Sequence, residues 1–481
     1  MKKLRSLLIV VFTGLCLSSM VGCISDDFTT SPSDILTFSS DTLSFDTVFT
    51  DLGTPTARLK VFNKAKKSVN ISSIQFASSE SAFSMNVDGQ SGTSFSDVEI
   101  RGGDSIFIFI ECYIPELDRN TPQLVEDKLQ FITNGVTQDV IVEAWGQNVT
   151  RLKGLNVNED LTLTAEIPYV VFDSLTVEKD AVLRIEPGAN ILFHDGAKLT
   201  VKGTLEAIGE AGKMINLRGD RLDNVLPDVA YDLLAGQWEG IRFAPESFDN
   251  RMEYVDMRST KSGLVVDSCA DLSRQKLLLV NSWLHNSQGN ALEVNYANVD
   301  AYGCIFSEAA ASVVYLAGGM HQFVQCTFSN YYLFSVPTSP LLWLAHCMPA
   351  SLEQDSSQPL MKANFQNCIF YGMPTDINEG DLTGSEVFLQ YCSLKSPGDD
   401  DDNFQNCLWD TDPLFLTERS DYYFNYHVAE DSPVIGAGNP EFITPISLYG
   451  IDGLNRLLVS PNGSPTLGAY SAAGVHAEDA Y

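Results

Sequence analysis

From about Ile35 to Gln147 apolar residues recur at every second position, in Leu59-Val61, Val69-Ile71, Ile106-Ile108-Ile110, Leu129-Phe131 and Val140-Val142-Ala144. Successive side chains of a strand point to opposite faces, so each run predicts a strand with one buried side. Gly102-Gly103-Asp104 and Asn134-Gly135 supply turn residues at hairpin spacing, which predicts an antiparallel sandwich over 35–147. From Asp160 the pattern changes to Leu175-Thr176-Val177, Leu183-Arg184-Ile185, Ile191-Leu192-Phe193, Leu199-Thr200-Val201 and Leu205-Glu206-Ala207, separated by Gly188, Gly196, Gly203 and Gly209. Strands this short with glycine between them predict tight corners rather than hairpins. Residues 148–159 are expected to be the linker between the two patterns.

Further along, Cys304, Cys326, Cys347, Cys368 and Cys392 stand 22, 21, 21 and 24 residues apart, several in one frame: Gly303-Cys304-Ile305-Phe306, Gln325-Cys326-Thr327-Phe328 and Asn367-Cys368-Ile369-Phe370. One short β-prone stretch per 20 to 25 residues is the signature of a solenoid with one coil per repeat, here a parallel β-helix. Stacked parallel strands lie about 4.8 Å apart, so equivalent side chains form a ladder. An inward rung must be small and apolar; free cysteine suits it, as do Ser282 and Val255, which fall in the same register upstream. A metal site would need ligands that converge, whereas a ladder spreads its sulfurs along the axis, and parallel Cβ vectors disfavour disulfides between rungs. Asn406-Cys407-Leu408-Trp409 repeats the frame after only 15 residues, too short for a full coil.

Leu183 to Gly209, with Ile185-Glu186-Pro187-Gly188 at its centre, resembles the opening coils of right-handed parallel β-helix proteins of the pectate-lyase-like class. Phe45-Asp46-Thr47-Val48-Phe49, Leu59 to Asn63 and Trp145-Gly146-Gln147 resemble bacterial Ig-like domains near lipoprotein N-termini, which are spacers or interaction modules. Asp412-Pro413-Leu414-Phe415, Ser432 to Gly438, Asp452-Gly453-Leu454-Asn455-Arg456 and Gly468-Ala469-Tyr470 follow the order seen at the C-terminal end of anchored β-helix proteins. The expected fold is therefore all-β: an Ig-like sandwich, a right-handed parallel β-helix over 160–411, and a cap over 412–481 covering the edges of the last coil. Asp452 and Arg456 suit an ion pair or turn clasp in that cap.

Lys2, Lys3 and Arg5 precede an apolar stretch from Leu7 to Leu17 that is too short to span a bilayer as a permanent helix and reads as a secretory signal over 1–22. Met20-Val21-Gly22-Cys23 resembles the bacterial lipobox, which implies acylation, with palmitate among the chains, on Cys23 and a protein held on a membrane without crossing it. Ser25, Asp26 and Asp27 resemble the surface-export signal of Bacteroidetes lipoproteins, and the polar stretch 23–34 reads as a tether; the implied place is the outer membrane, facing the cell exterior. The formal charge of −32 repels nucleic acid, so none is expected as a partner.

Enzymes of the β-helix class use calcium and a basic residue, or clustered aspartates with Gly-His-Gly; neither pattern aligns here, so no catalytic residue is assigned. The six histidines, His194, His285, His321, His346, His427 and His476, share no ladder position. Asp399 to Asp402 form a charge run in which Asp399, Asp401, Asn403 and Asp410 mimic calcium-loop positions, but Phe404 stands where that loop needs glycine, so no metal or other cofactor is expected. The candidate binding residues are Arg218, Asp220, Arg221, Asp223 and Trp238, in an insertion that breaks the coils with charged and aromatic side chains. Tyr331, Tyr332 and Trp343 are further aromatics able to stack on sugars. The expected function is a surface lipoprotein that binds a glycan or an outer-membrane protein partner. The alternatives are a polysaccharide lyase or glycoside hydrolase, or an accessory subunit of an outer-membrane complex.

Overall fold

The period-two stretch folds as an Ig-like sandwich. This computed structural model describes residues 27–471 apart from 55, 227–228, 347–357 and 379–381, and the chain divides into two compact units after Asn148. Cys23, with its signal, and Cys347 lie outside the described residues. In the first unit one sheet is ordered Leu36–Phe38, Ala57–Asn63, Ser105–Cys112, Phe83–Val87, Gln90–Gly92. The other is built on Thr42–Phe49, Val136–Gln147, Gln123–Thr133 and Val69–Phe76. Leu59, Val61, Ile108 and Ile110 from one sheet and Val69, Ile71, Leu129, Phe131, Val140 and Val142 from the other are fully buried between them, the alternation the sequence carries. Thr42–Phe49 runs parallel to Val136–Gln147, an exception to the otherwise antiparallel pairing.

The second unit is a parallel β-helix whose strands form one continuous 24-stranded sheet. It begins earlier than the pattern indicates: Thr150–Val157, expected within the linker, pairs in parallel with Tyr169–Val177. Gly154 at φ +57 makes a bulge there, and few of the strand's side chains are buried, so its sequence reads as a polar joint. Three faces then repeat. Asn250–Glu253, Leu277–Val280 and the end of Leu292–Tyr302 stack on one. Val255–Thr260, Trp283–Ser287 and Ile305–Phe306 stack on the second, and Gly240–Phe243, Leu264–Val266 and the start of Leu292–Tyr302 on the third.

The cysteine ladder sits just after the corner between the first two faces. Tyr254, Asn281, Gly303, Gln325, Asn367, Tyr391 and Asn406 all occupy the left-handed region, with φ between +44 and +66, and each is followed by a rung: Val255, Ser282, Cys304, Cys326, Cys368, Cys392 and Cys407. The corner explains why Asn and Gly precede cysteine so often, since they tolerate that backbone best. Cys304, Cys326, Cys368 and Cys392 are free, fully buried thiols, and burial pushes those of Cys304 and Cys368 well up. Thr327 pairs directly with Ile369, and Cys326 N–H lies 3.4 Å from the Cys368 sulfur across a coil of 42 residues. The rung stacked on Cys326 is therefore Cys368. Cys407 is a rung, because Ser393 bridges Leu408, and the short interval is a coil cut short.

The run Asp399–Asp402 closes that coil. Asp400 accepts from the backbone N–H groups of Asn406 (2.6 Å) and Cys407 (3.1 Å) and from the indole of Trp409 (3.1 Å). Partial burial pushes its carboxyl up, but those bonds together hold it below the usual range. Phe404 and Trp409 pack against the end of the core.

The segment from Asp412 onward caps the flank more than the end. Its apolar residues pack on the outward side of the second face: Phe424, Tyr426, Ile451 and Ala469 against Trp283 and Ile305, and Val428, Val434 and Leu467 against Ile369. Asp452 and Arg456 act separately. Asp452 accepts from Leu454 N–H and Ser471 N–H, while the buried Arg456 donates to Ser447 O, Gln325 Oε1, Gly468 O, Tyr470 O and Ala469 O. Burial lowers the Arg456 pKa to about 10. Gly303 makes room for it: a Cβ there would lie 2.2 Å from Asn281 Oδ1 and 3.1 Å from the guanidinium.

Candidate functional site

Between Gly219 and Gly240 the chain leaves the regular coil, and the excursion is braced from several sides. Gln237 Nε2 donates to Tyr231 O (2.7 Å) and Leu234 O (2.9 Å). Ser259 Oγ and Asn286 Nδ2 each donate to Asp232 O at 2.7 Å. These bonds hold the short 3₁₀ turn Tyr231–Leu233 over the corner between the second and third faces.

Two cavities flank the turn. On one side a groove of about 490 Å³ is lined by Asp220, Arg221, Tyr231, Gln237, Gln288 and Phe334, among others. Arg221 makes a bidentate pair with Asp223 (both 2.6 Å) and lies 4.0 Å over the Tyr231 ring, while His194 Nδ1 is 2.6 Å from Asp220. The hydrogen bond to Asp223 raises the Arg221 pKa, fixing its charge. Phe334 is 51% exposed at the rim. Planar polar groups beside aromatic rings are the lining that an amphipathic ring such as a sugar requires.

On the other side a cavity of about 200 Å³ is lined by Asp232, Leu233, Arg258, Trp283, His285, Glu308, Leu333 and Phe424, among others. Its floor is a network from three coils and the insertion. The fully buried Asp256 pairs with Arg258 and lies 3.1 Å from His285 Nε2; Arg258 Nε and Arg218 Nη1 reach Asp232 at 3.3 and 3.1 Å. Trp283 stacks on His285 at 4.4 Å and donates to Ser307 Oγ at 2.7 Å; Ser307 and Tyr426 hydroxyls bond the two Glu308 oxygens. Burial raises the Glu308 pKa against the opposing His285 charge.

Of the residues the sequence singles out, Asp220 and Arg221 line the groove, Asp223 positions Arg221, and Arg218 anchors the turn through Asp232. Trp238 does not face a ligand. It is 1% exposed, stacked on Phe193 at 3.9 Å, and donates to Arg258 O at 2.8 Å. Tyr332 is largely buried but helps line the groove, whereas Trp343 is partly exposed beside Tyr315 of the preceding coil and lines neither cavity. Sequence reasoning missed Asp256, Arg258, His285 and Glu308. Asp256 and Arg258 share one strand while His285 and Glu308 stand on the next two coils, and only the ladder register, which puts Asp256 beside Trp283 and Arg258 beside His285, brings them together. Among the described residues no group of three or more His, Cys, Asp or Glu is placed to hold a metal ion.

No protein-family profile matches the chain, and no curated protein matches it. Solved structures overlap it in part. A protein of unknown function from Porphyromonas gingivalis W83 is 12% identical, covering 26% of this chain and 59% of that one at a TM-score of 0.18. The periplasmic chaperone SfaE is 12% identical over 24% of this chain and 58% of its own, at 0.17. A PapD-like domain of human CEP192 is 11% identical over 25% of this chain and 89% of its own, also at 0.17. The chain thus spans under two thirds of the first two, and such scores carry no argument about function.

Proposed function

We propose that this chain is a surface lipoprotein of the Bacteroidetes type, held in the outer membrane through acyl chains on Cys23, whose pectate-lyase-like β-helix binds a glycan. One observation carries the reading: the braced insertion between Gly219 and Gly240 builds a groove walled by Tyr231 and Phe334 and furnished with Asp220, Arg221, Gln237 and Gln288. Aromatic faces with fixed planar donors and acceptors bind sugar rings by stacking and bidentate hydrogen bonds. The rigid bracing lowers the ordering cost of binding. The test is a glycan array probed with residues 24–481, alongside assays for reducing ends and unsaturated uronides with and without calcium. The expected result is retention of a glycan class without turnover, weakened at least tenfold by Arg221→Ala. Turnover abolished by chelation, or by Glu308→Gln, would replace the binder with an enzyme.

A further inference from the structure

Ser259, Asn286 and Glu308 occupy the same corner of three successive coils, and all are left-handed, at φ +65, +56 and +41. Asn suits such a corner, and Ser259 and Asn286 use it to hold the Asp232 carbonyl. Glu308 takes the third place in that row. The Glu308 carboxyl is buried at the wall of the 200 Å³ cavity, its two oxygens oriented by the hydroxyls of Ser307 and Tyr426, with the backbone of Tyr331 a further hydrogen-bond partner.

The cavity's size and charge specify what fits. At roughly 30 Å³ per water it has room for about seven waters, the scale of one six-membered sugar ring. Arg218, Arg258 and His285 face Asp232, Asp256 and Glu308, three basic groups against three acidic ones, leaving no surplus cation for a uronate or sulfate. The floor is the fully buried Asp256 network, so a chain that enters cannot pass through. The same turn lines both this cavity and the groove, Asp232 and Leu233 on the cavity side and Tyr231 and Leu234 on the groove side, and Leu333 and Phe334 continue from one to the other.

We propose that this cavity is the terminal subsite of the glycan site, seating one uncharged pyranose ring at a chain end, its hydroxyls on Glu308 and Asp232 and its apolar edge on Trp283, Leu333 and Phe424. The inference rests on the groove reading above, and its test separates the two. Methyl glycosides of glucose, galactose, mannose, xylose and N-acetylglucosamine, and oligomers of each, are titrated calorimetrically into wild type, Arg221→Ala, Leu333→Trp and Glu308→Gln. Leu333→Trp fills the cavity, and Glu308→Gln keeps its shape; melting temperatures verify that each variant is folded. The expected result is that one methyl glycoside binds wild type and loses at least tenfold in affinity in both cavity variants, as does its oligomer. Oligomer binding lost in Arg221→Ala but unchanged in Leu333→Trp and Glu308→Gln overturns the terminal subsite and leaves the groove standing. No binding of any oligomer to wild type overturns both.

Discussion

A rung of the cysteine ladder shows how narrow a requirement one residue meets. Cys326 is fully buried between Cys304 and Cys368, and its thiol donates to backbone carbonyls of Ala301 and Val324. Cys326→Asp places a carboxyl there without a partner and is expected to destabilise the fold by at least about 3 kcal/mol, whereas Cys326→Ala costs about 1 kcal/mol. Thermal melts of the two variants check this; similar melting temperatures would remove the ladder. Asp300 gives a pH signature. Burial raises its carboxyl to about 6 against the hydrogen bond from Gln275, so the folded state binds the proton more tightly than the unfolded chain. Its stabilising share is complete below the unfolded pKa near 3.9 and is lost as pH rises through about 6. Denaturant midpoints should fall across that window in wild type and not in Asp300→Asn, other titrations being common to both.

At the scale of elements, solenoid stability is a sum of coils and their nearest-neighbour contacts, so damage stays local. Trp409 packs on Phe404 and donates to Asp400 at the end of the last coil. Trp409→Ala should therefore raise amide exchange in Glu386–Gln390 and Phe404–Gln405 while leaving strands such as Val255–Thr260 as protected as before. Uniformly faster exchange would contradict nearest-neighbour behaviour. Elements are also where the sequence was most and least legible. The sandwich alternation and the corner-plus-rung frame are local, repeat from strand to strand, and predict both folds and the register back to Val255. Three other features depend on partners far away in sequence. Thr150–Val157 reads as a joint because its burial is slight; the stacking of Cys368 directly on Cys326 cannot be told from spacing alone; and the C-terminal segment reads as an end cap because its apolar residues do not say which face they cover.

At the scale of the molecule, the candidate site was half legible. The insertion announced itself by charge and aromatics, which picked out Arg218, Asp220, Arg221 and Asp223 but not the bracing Gln237, Ser259 and Asn286. Trp238 was misplaced because a buried and a ligand-facing tryptophan look alike in sequence. The network of Asp256, His285 and Glu308 needs coil stacking to exist at all. Anchoring is a separate matter of the N-terminus: alkyne fatty-acid labelling of cells should mark wild type and lose its signal in Cys23→Ser, and equal labelling of both would exclude a lipid on that residue. The central claim is that a glycan lies against the braced turn. Hydrogen exchange of residues 24–481, with and without a saturating array-selected oligosaccharide, tests it most directly. The prediction is slowed exchange confined to the insertion between Gly219 and Gly240 and to the neighbouring stretch 330–334, with the rest of the β-helix and the sandwich unchanged. Protection centred instead on Glu386–Gln405, or on the sandwich strands, would contradict it.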